Sequence, residues 1–243
     1  MFITLEGGEG GGKTTQARLL AEALHRSGHS VLRTREPGGA PGAEALRVVL
    51  LSGEHDWSPQ AEVLLHFAAR AEHIARMIRP ALQAGHVVVC DRFADSTMAY
   101  QGYGQGADRA QIAQLSDMMA LRPDLTLILD VSPVVAARRL AARPGGPDRY
   151  ERLGTAFHAR VAAGFRAIAA ADPARCVTVP ADGTEAEVHA AVWAVVASRL
   201  GARSRLGRSS TGPSDTGPGD AGPSDTGPGG TGPGDAGASD AGP

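Results

Sequence analysis

The chain has 243 residues, of which 42% are hydrophobic and 21% charged, and its formal net charge at pH 7 is −2. That length suits one substantial α/β domain plus an extra segment. So even a charge balance gives no electrostatic case for nucleic-acid or membrane binding, and no apolar run approaches the length of a membrane span.

The opening run Met1-Phe2-Ile3-Thr4-Leu5 predicts a strand over Phe2–Glu6 rather than a signal peptide. It leads into Gly7-Gly8-Glu9-Gly10-Gly11-Gly12-Lys13-Thr14, which matches the phosphate-loop pattern G-x-x-x-x-G-K-[ST] and holds the only lysine of the chain. Successive glycines let backbone N–H groups turn inward on an anion, and the helix that follows adds its positive N-terminal end. Lys13 is a compact charge for bridging phosphate oxygens, and the Thr14 hydroxyl is a ligand for Mg2+. Gly7, Gly8, Glu9, Gly10, Gly11, Gly12, Lys13, Thr14 and Thr15 are the expected ATP site. The helix is marked by the stripe Leu19, Leu20, Ala23, Leu24 and ends near Ser27-Gly28. Glu9 is informative: a carboxylate beside a triphosphate is costly, so it should turn away and bond another group, such as a sugar hydroxyl. The N-K-x-D pattern of guanine-specific proteins cannot occur, since the one lysine is already placed.

Further strands are predicted over Ser30–Arg35, His86–Asp91, Leu125–Val131 and Cys176–Pro180, each short and apolar, as parallel strands covered on both faces are. Between them lies a long helix from about Pro59 to Ala84, with Val63, Leu64, Phe67, Ala71, Ile74, Ile78 and Leu82 on one stripe and Pro80 placed to kink the last turn. Other helices fit Gln111–Ala120, Pro133–Ala142, Arg152–Ala171 and Thr184–Leu200. Alternation of this kind predicts a three-layer α/β domain whose ligands sit beyond the carboxyl ends of the strands.

At one such end stand Asp91 and Arg92. Asp91 beside a phosphate loop suits Mg2+ or its water shell, or else caps a turn. Arg92 is a bidentate clamp for a second phosphate, or a partner for a neighbouring carboxylate. The stretch Arg143-Pro-Gly-Gly-Pro-Asp148-Arg149-Tyr150-Glu151 breaks the preceding helix and reads as a flap. From it Arg143 and Arg149 either close over a transferring phosphoryl group or form a solvated basic turn. Cys90 and Cys176 read as buried free thiols, and a reducing cytoplasm is the simplest compartment. From Thr211 onward the chain repeats a five-residue unit (TGPSD, TGPGD, AGPSD and variants) without a large apolar residue. It predicts a disordered tail, preceded by a linker holding Arg203, Arg205 and Arg208. The expected division is a P-loop domain over 1–202 and linker plus tail over 203–243.

Taken together, Leu5-Glu6-Gly7 through Gln16, Thr34-Arg35-Glu36-Pro37-Gly38-Gly39, Asp91-Arg92-Phe93-Ala94-Asp95-Ser96-Thr97-Met98-Ala99-Tyr100-Gln101-Gly102 and Asp148-Arg149-Tyr150-Glu151 resemble bacterial thymidylate kinases over about residues 1–200. The resemblance implies the P-loop fold of the nucleoside-monophosphate kinases, with a five-stranded parallel sheet in the order 2-3-1-4-5 and a short lid. It implies transfer of a phosphoryl group from MgATP to dTMP, and a homodimer. It assigns Glu9 to the nucleotide 3′-hydroxyl, Arg47 and Arg92 to the acceptor phosphate, and Arg70 to a thymine carbonyl. Ser96 and Thr97 fall at the pyrimidine edge, and Gln101 joins the dTMP site. Tyr100 falls where a ring leaves no room for a 2′-hydroxyl. Asp148 and Glu151 become lid acids near the metal or ATP. Lys13, Arg92, Arg143 and Arg149 are the expected catalytic cations, and Thr14 and Asp91 the expected Mg2+ residues. One position departs from the pattern: where the family carries a Phe that stacks on thymine, this chain has His66, followed by Phe67. One residue turns a helix by about 100°, so only one of them faces the base. Phe67 also fits the core stripe, which favours His66. The rival readings are a kinase for another nucleotide and a P-loop regulatory or assembly ATPase whose tail binds a partner.

Overall fold

The computed structural model describes residues 1–143 and 149–209, the stretch from Arg203 on by its backbone alone. Asp148 and the repeat tail lie outside the described residues. Met1–Arg203 form one compact unit; of the second unit, Ser204–Pro243, only helical backbone as far as Ser209 is described.

In chain order the elements are β1 (Phe2–Glu6), α1 (Lys13–Arg26), β2 (Val31–Arg35), α2 (Pro41–Leu51), α3 (Pro59–His73), a π-helical turn (Ile74–Ile78) and α4 (Arg79–Gln83). There follow β3 (Val87–Asp91), α5 (Ala94–Thr97), a second π-helical stretch (Met98–Gly104), α6 (Arg109–Met118), β4 (Leu125–Asp130), α7 (Pro133–Ala141), α8 (Thr155–Ala171), β5 (Cys176–Pro180) and α9 (Glu185–Ser209). The five strands form one parallel sheet in the order β2-β3-β1-β4-β5. Strand alternation sorts the side chains into two cores. On one face Ile3, Leu5, Val89, Leu125 and Leu127 pack against Leu20 and Leu24 of α1 and Val188, Val192 and Val196 of α9. On the other, Phe2, Val88 and Cys90 meet Ile74, Ile78 and Phe93. Farther along that face Ile128 and Cys176 meet Tyr100, Phe157 and Phe165. The result is the three-layer arrangement expected from the sequence.

The long helix after Pro59 is not continuous. α3 widens into the π-helical turn at Ile74–Ile78, and Pro80 sits in the first turn of α4. Pro80 has no N–H to donate to the carbonyl four residues back, so the regular ladder is interrupted where it stands. Of the expected stripe, Val63, Phe67, Ile74 and Ile78 are buried and Leu82 is half-buried, but Leu64 and Ala71 are exposed, because they fall on the helix flank turned away from the sheet. α2 carried no periodic signal, because its apolar residues Val48-Val49-Leu50-Leu51 are contiguous and only Leu50 among them is buried. α6 starts before Gln111, since Asp108 Oδ1 accepts from the Ala110 N–H at 2.8 Å and caps it. α8 starts only at Thr155, after Gly154.

The turn after β2 is sterically tight. Gly39 has φ +87°, and a Cβ there would stand 2.3 Å from His73 Nε2 and 2.5 Å from Thr34 Oγ1. Gly39→Ala is expected to lose about 2–4 kcal/mol of stability, from the left-handed backbone plus overpacking. Urea unfolding at an unchanged m-value measures it.

Candidate active site

At the carboxyl ends of the strands lies a cavity of about 740 Å³, lined by the loop after β1, the ends of β2 and β3, one face of α3, the second π-helical stretch, α7 and Tyr150. The loop after β1 cradles it. Gly10 has φ +71° and passes so close to α7 that a Cβ would meet Ala136 Cα at 2.8 Å. α1 begins at Lys13, so its unpaired N–H groups open onto the loop. Lys13 is 6% exposed and donates from Nζ to the Gly8 carbonyl at 2.6 Å. Burial and the nearby Arg92 pull its pKa down to about 8. The Thr14 hydroxyl donates to Asp91 Oδ2 at 2.5 Å, across the mouth of the loop. Gly10, Gly11, Gly12 and Thr15 line the cavity with them; Gly7 and Gly8 do not, and act through their backbone carbonyls.

Arg92 is held in a left-handed conformation, φ +68°, directly after β3. Its guanidinium donates to the Gly7 carbonyl (3.2 Å), Ser96 Oγ (3.3 Å), Glu9 Oε1 (2.5 Å) and Tyr100 Oη (3.2 Å), and lies 4.9 Å from the Tyr100 ring centre. Glu9 turns away from the loop centre as expected, but onto Arg92 and the Tyr100 hydroxyl, which donates to it at 2.7 Å. Burial raises the Glu9 pKa, yet Arg92, Lys13 and Tyr100 outweigh it and bring it to about 2. Beneath this pair Glu6 fixes the turn. Its carboxyl accepts from the Phe93 N–H at 2.7 Å and from the Ser96 hydroxyl at 2.5 Å. Burial, with Asp95 nearby, pushes the Glu6 pKa up to about 8.

On the far side, His66 and Arg70 reach the cavity from α3. Phe67 does not; it is buried with Val63 and Ile112, under the Arg70 guanidinium at 4.7 Å. Burial and Arg70 bring the His66 pKa down to about 3, so the ring is neutral. Arg70 is itself buried, donating to Glu36 Oε2 at 2.8 Å and Thr97 Oγ1 at 3.0 Å. Its remaining Nη1 has no hydrogen-bond partner among the described residues. Arg47 donates to the Pro37 carbonyl at 2.7 Å and lines the cavity. Gln101 donates to Glu62 Oε1 at 2.7 Å. Arg143 also lines the cavity and pairs with Glu151 at 2.7 Å. Arg149 does not line it; its Nη1 lies 2.6 Å from Glu62 Oε2.

Three contributors escaped sequence reasoning. Glu36, preceding the cis Glu36–Pro37 bond, is 6% exposed and holds both Arg70 and His73. Its place in the Arg35-Glu36-Pro37-Gly38-Gly39 run was the available signal. Arg139 braces the phosphate loop by donating to the Gly10 carbonyl at 3.3 Å and to Ala181 at 2.8 Å. Glu62 lies fully buried and gathers donors from both sides of the base of the cavity. In sequence it looks like any acid in a first helical turn.

The thymidylate kinase family model matches residues 5–192. A thymidylate kinase of Gluconobacter oxydans is 55% identical over 196 residues, covering 79% of this chain and 92% of the relative. One from a Synechococcus strain is 54% identical over 202 residues, covering 82% and 96%. Among solved structures, the thymidylate kinase of Ehrlichia chaffeensis superposes with a TM-score of 0.66 at 38% identity, covering 81% of this chain and 97% of its own.

The Glu6 shift has a measurable sign. Its folded-state pKa, about 8, exceeds the unfolded value near 4.5, so the folded chain keeps a proton that the unfolded chain loses. That contribution is complete below the unfolded value and is lost as pH rises through the folded one. Glu6→Gln keeps the shape without the titration. The stability of wild type relative to Glu6→Gln is expected to fall between about pH 5 and pH 8, measured by urea unfolding across that range.

Proposed function

The chain belongs to the thymidylate kinase family, and on that premise we propose that it transfers the γ-phosphoryl group of ATP to dTMP, giving dTDP and ADP. The observation that carries this reading is the position of Arg92. Its guanidinium is bonded to Gly7 and Glu9 of the phosphate loop and to Tyr100, beside the site for the donor phosphates, where an acceptor phosphate would be received. Phosphoryl transfer asks for alignment and charge neutralisation more than for covalent chemistry. The acceptor is already a phosphate oxygen, so no strong base is needed.

The loop from Gly7 to Thr15 holds the ATP phosphates, with Lys13 leaving the Gly8 carbonyl to bind them. Among the described residues no three His, Cys, Asp or Glu side chains converge to hold a metal unaided. Thr14 and Asp91 offer one hydroxyl and one carboxylate. That fits Mg2+, which takes its other ligands from phosphates and water. Held by Thr14 and Asp91, Mg2+ would supply charge neutralisation at the phosphate oxygens. Arg47 and Arg92 receive the acceptor phosphate, and Glu9 the sugar 3′-hydroxyl. The Tyr100 ring excludes a 2′-hydroxyl, while Ser96 and Thr97 border the base. His66 stacks on thymine as a neutral ring, and the unpaired Arg70 Nη1 meets a thymine carbonyl. Lys13, Arg92 and Arg143 supply positive charge to the transition state. Arg149 joins them only by leaving Glu62.

The exposed apolar residues Val48 and Val49 of α2 and Leu64 of α3, on two helices that pack together, support a homodimer. No helix among the described residues is long and apolar enough to cross a membrane. We place the enzyme in the cytoplasm, acting on ATP and dTMP without nucleic acid. Residues 1–202 form the kinase domain, and residues 203–243 stand apart from catalysis.

Two outcomes follow. Wild type should release ADP from MgATP only when dTMP is present, and Lys13→Ala should lower that turnover at least a thousandfold, about 4 kcal/mol at the transition state, with the fold intact by circular dichroism. ADP release independent of dTMP would contradict the reading. A chain ending at Ser210 should keep kcat/KM for dTMP within about twofold and the Tm of the full chain, since the removed repeat has nothing to bury.

A further inference from the structure

At the base of the cavity one buried carboxylate sets the direction of several hydrogen bonds. Glu62 is fully buried in the first turn of α3. Its Oε1 accepts from the Tyr150 hydroxyl (2.6 Å), Gln101 Nε2 (2.7 Å) and Gln105 Nε2 (3.0 Å), and its Oε2 from Arg149 (2.6 Å). A carboxylate paired with a guanidinium can only accept, so every group around Glu62 must turn a donor toward it. Gln101 therefore commits its amino end to Glu62, and to Tyr150 Oη at 3.2 Å. The carbonyl end is left for the cavity that Gln101 lines. Tyr150 spends its hydroxyl proton on Glu62, so its oxygen accepts from His66 Nε2 at 2.9 Å. That fixes the His66 tautomer and leaves Nδ1 as a bare acceptor.

We propose that Glu62 is a positioning residue for base selection: by accepting from Gln101 and Tyr150 it makes Gln101 present an acceptor to the pyrimidine. The inference rests on the dTMP reading above. Thymine carries a donor at N3–H and an acceptor at O4. Cytosine carries an acceptor at N3 and an amino donor at C4. An acceptor from Gln101 together with the unpaired Arg70 Nη1, on two residues that line the same cavity, matches the first pair and opposes the second. Glu62 never touches the nucleotide. It works by denying Gln101 the opposite amide orientation, which would pair with cytosine N3. Without a carboxylate at position 62 the amide turns over at little cost, because a neighbouring amide offers both a donor and an acceptor.

The test measures equilibrium binding of dTMP and dCMP by calorimetry without ATP, in wild type, Glu62→Gln and Glu62→Gln/Arg149→Gln. The double variant leaves no unpaired guanidinium against the buried site, so it keeps the measurement available if the single variant fails to fold. Removing ATP sets aside any part Arg149 takes in phosphoryl transfer. The preference for dTMP over dCMP is expected to fall roughly ten- to hundredfold in both variants, the value of one mismatched buried hydrogen bond. A purely structural Glu62 would weaken both nucleotides alike, and an unchanged preference in the folded variants would overturn the proposal. Wild-type binding of dTMP checks the underlying reading separately.

Discussion

The organisation of the cavity depends on where one guanidinium is held. Arg92 follows β3 in a left-handed backbone conformation that a residue with a Cβ adopts only when its surroundings insist. The insistence comes from below and above. Glu6 takes the Phe93 N–H and the Ser96 hydroxyl, and the Gly7 carbonyl, Glu9 and Tyr100 take the guanidinium. Glu9 neutralises Arg92, and the same pairing holds the Glu9 carboxyl far below its usual range. On the proposed reading, a phosphate arriving here would meet a cation already positioned and desolvated, so little would be spent on ordering it. Lys13 is in a comparable state, buried against the Gly8 carbonyl with a depressed pKa that an anion would relieve.

The chemistry of this half of the cavity was legible in the sequence because it depends on local patterns. Glycines in the loop after β1 and a Lys-Thr pair at the start of α1 define a phosphate site by spacing alone. Asp91 and Arg92 at the end of an apolar run define its neighbour. Three strands were legible for the same reason, since β1, β3 and β4 are buried on both faces and read as short apolar runs, whereas β2 and β5, at the two edges of the sheet, are partly exposed rather than covered on both faces as expected. What escaped depends on tertiary contact. α2 is half exposed and lacks a helical stripe, and the π-helical turn before Pro80 changes the backbone without changing the apolar pattern. Residue types also do not say who meets whom. Arg149 looked like a cation for the phosphates, yet it stands on Glu62, an acid 87 positions away.

The two halves of the cavity use buried carboxylates differently. Glu9 faces a guanidinium at the cavity wall, and both partners keep some exposure. Glu36 and Glu62 are enclosed, and each fixes side chains of the wall together with one behind it: Glu36 holds Arg70, which lines the cavity, and His73, which does not, while Glu62 holds Gln101 and Tyr150, which line it, and Arg149, which does not. Enclosed pairs of this kind add little net stability against an apolar replacement, but breaking one partner is costly. Their hydrogen bonds restrict the rotamers and amide orientations open to side chains that line the cavity. The wall built on Glu36 and Glu62 is therefore held by enclosed pairs, while the Glu9–Arg92 pair stands at the cavity itself.

The most direct test of this account compares dTMP with thymidine, which lacks the phosphate, in wild type and Arg92→Lys. Lysine keeps a cation beside Glu9 but cannot span a phosphate with two parallel N–H groups. Calorimetric affinity for dTMP should fall roughly ten- to hundredfold, the value of a charge-assisted hydrogen bond, while affinity for thymidine stays unchanged. Equal losses for the two ligands, or no loss for dTMP, would contradict the claim that Arg92 is held in place to receive the acceptor phosphate.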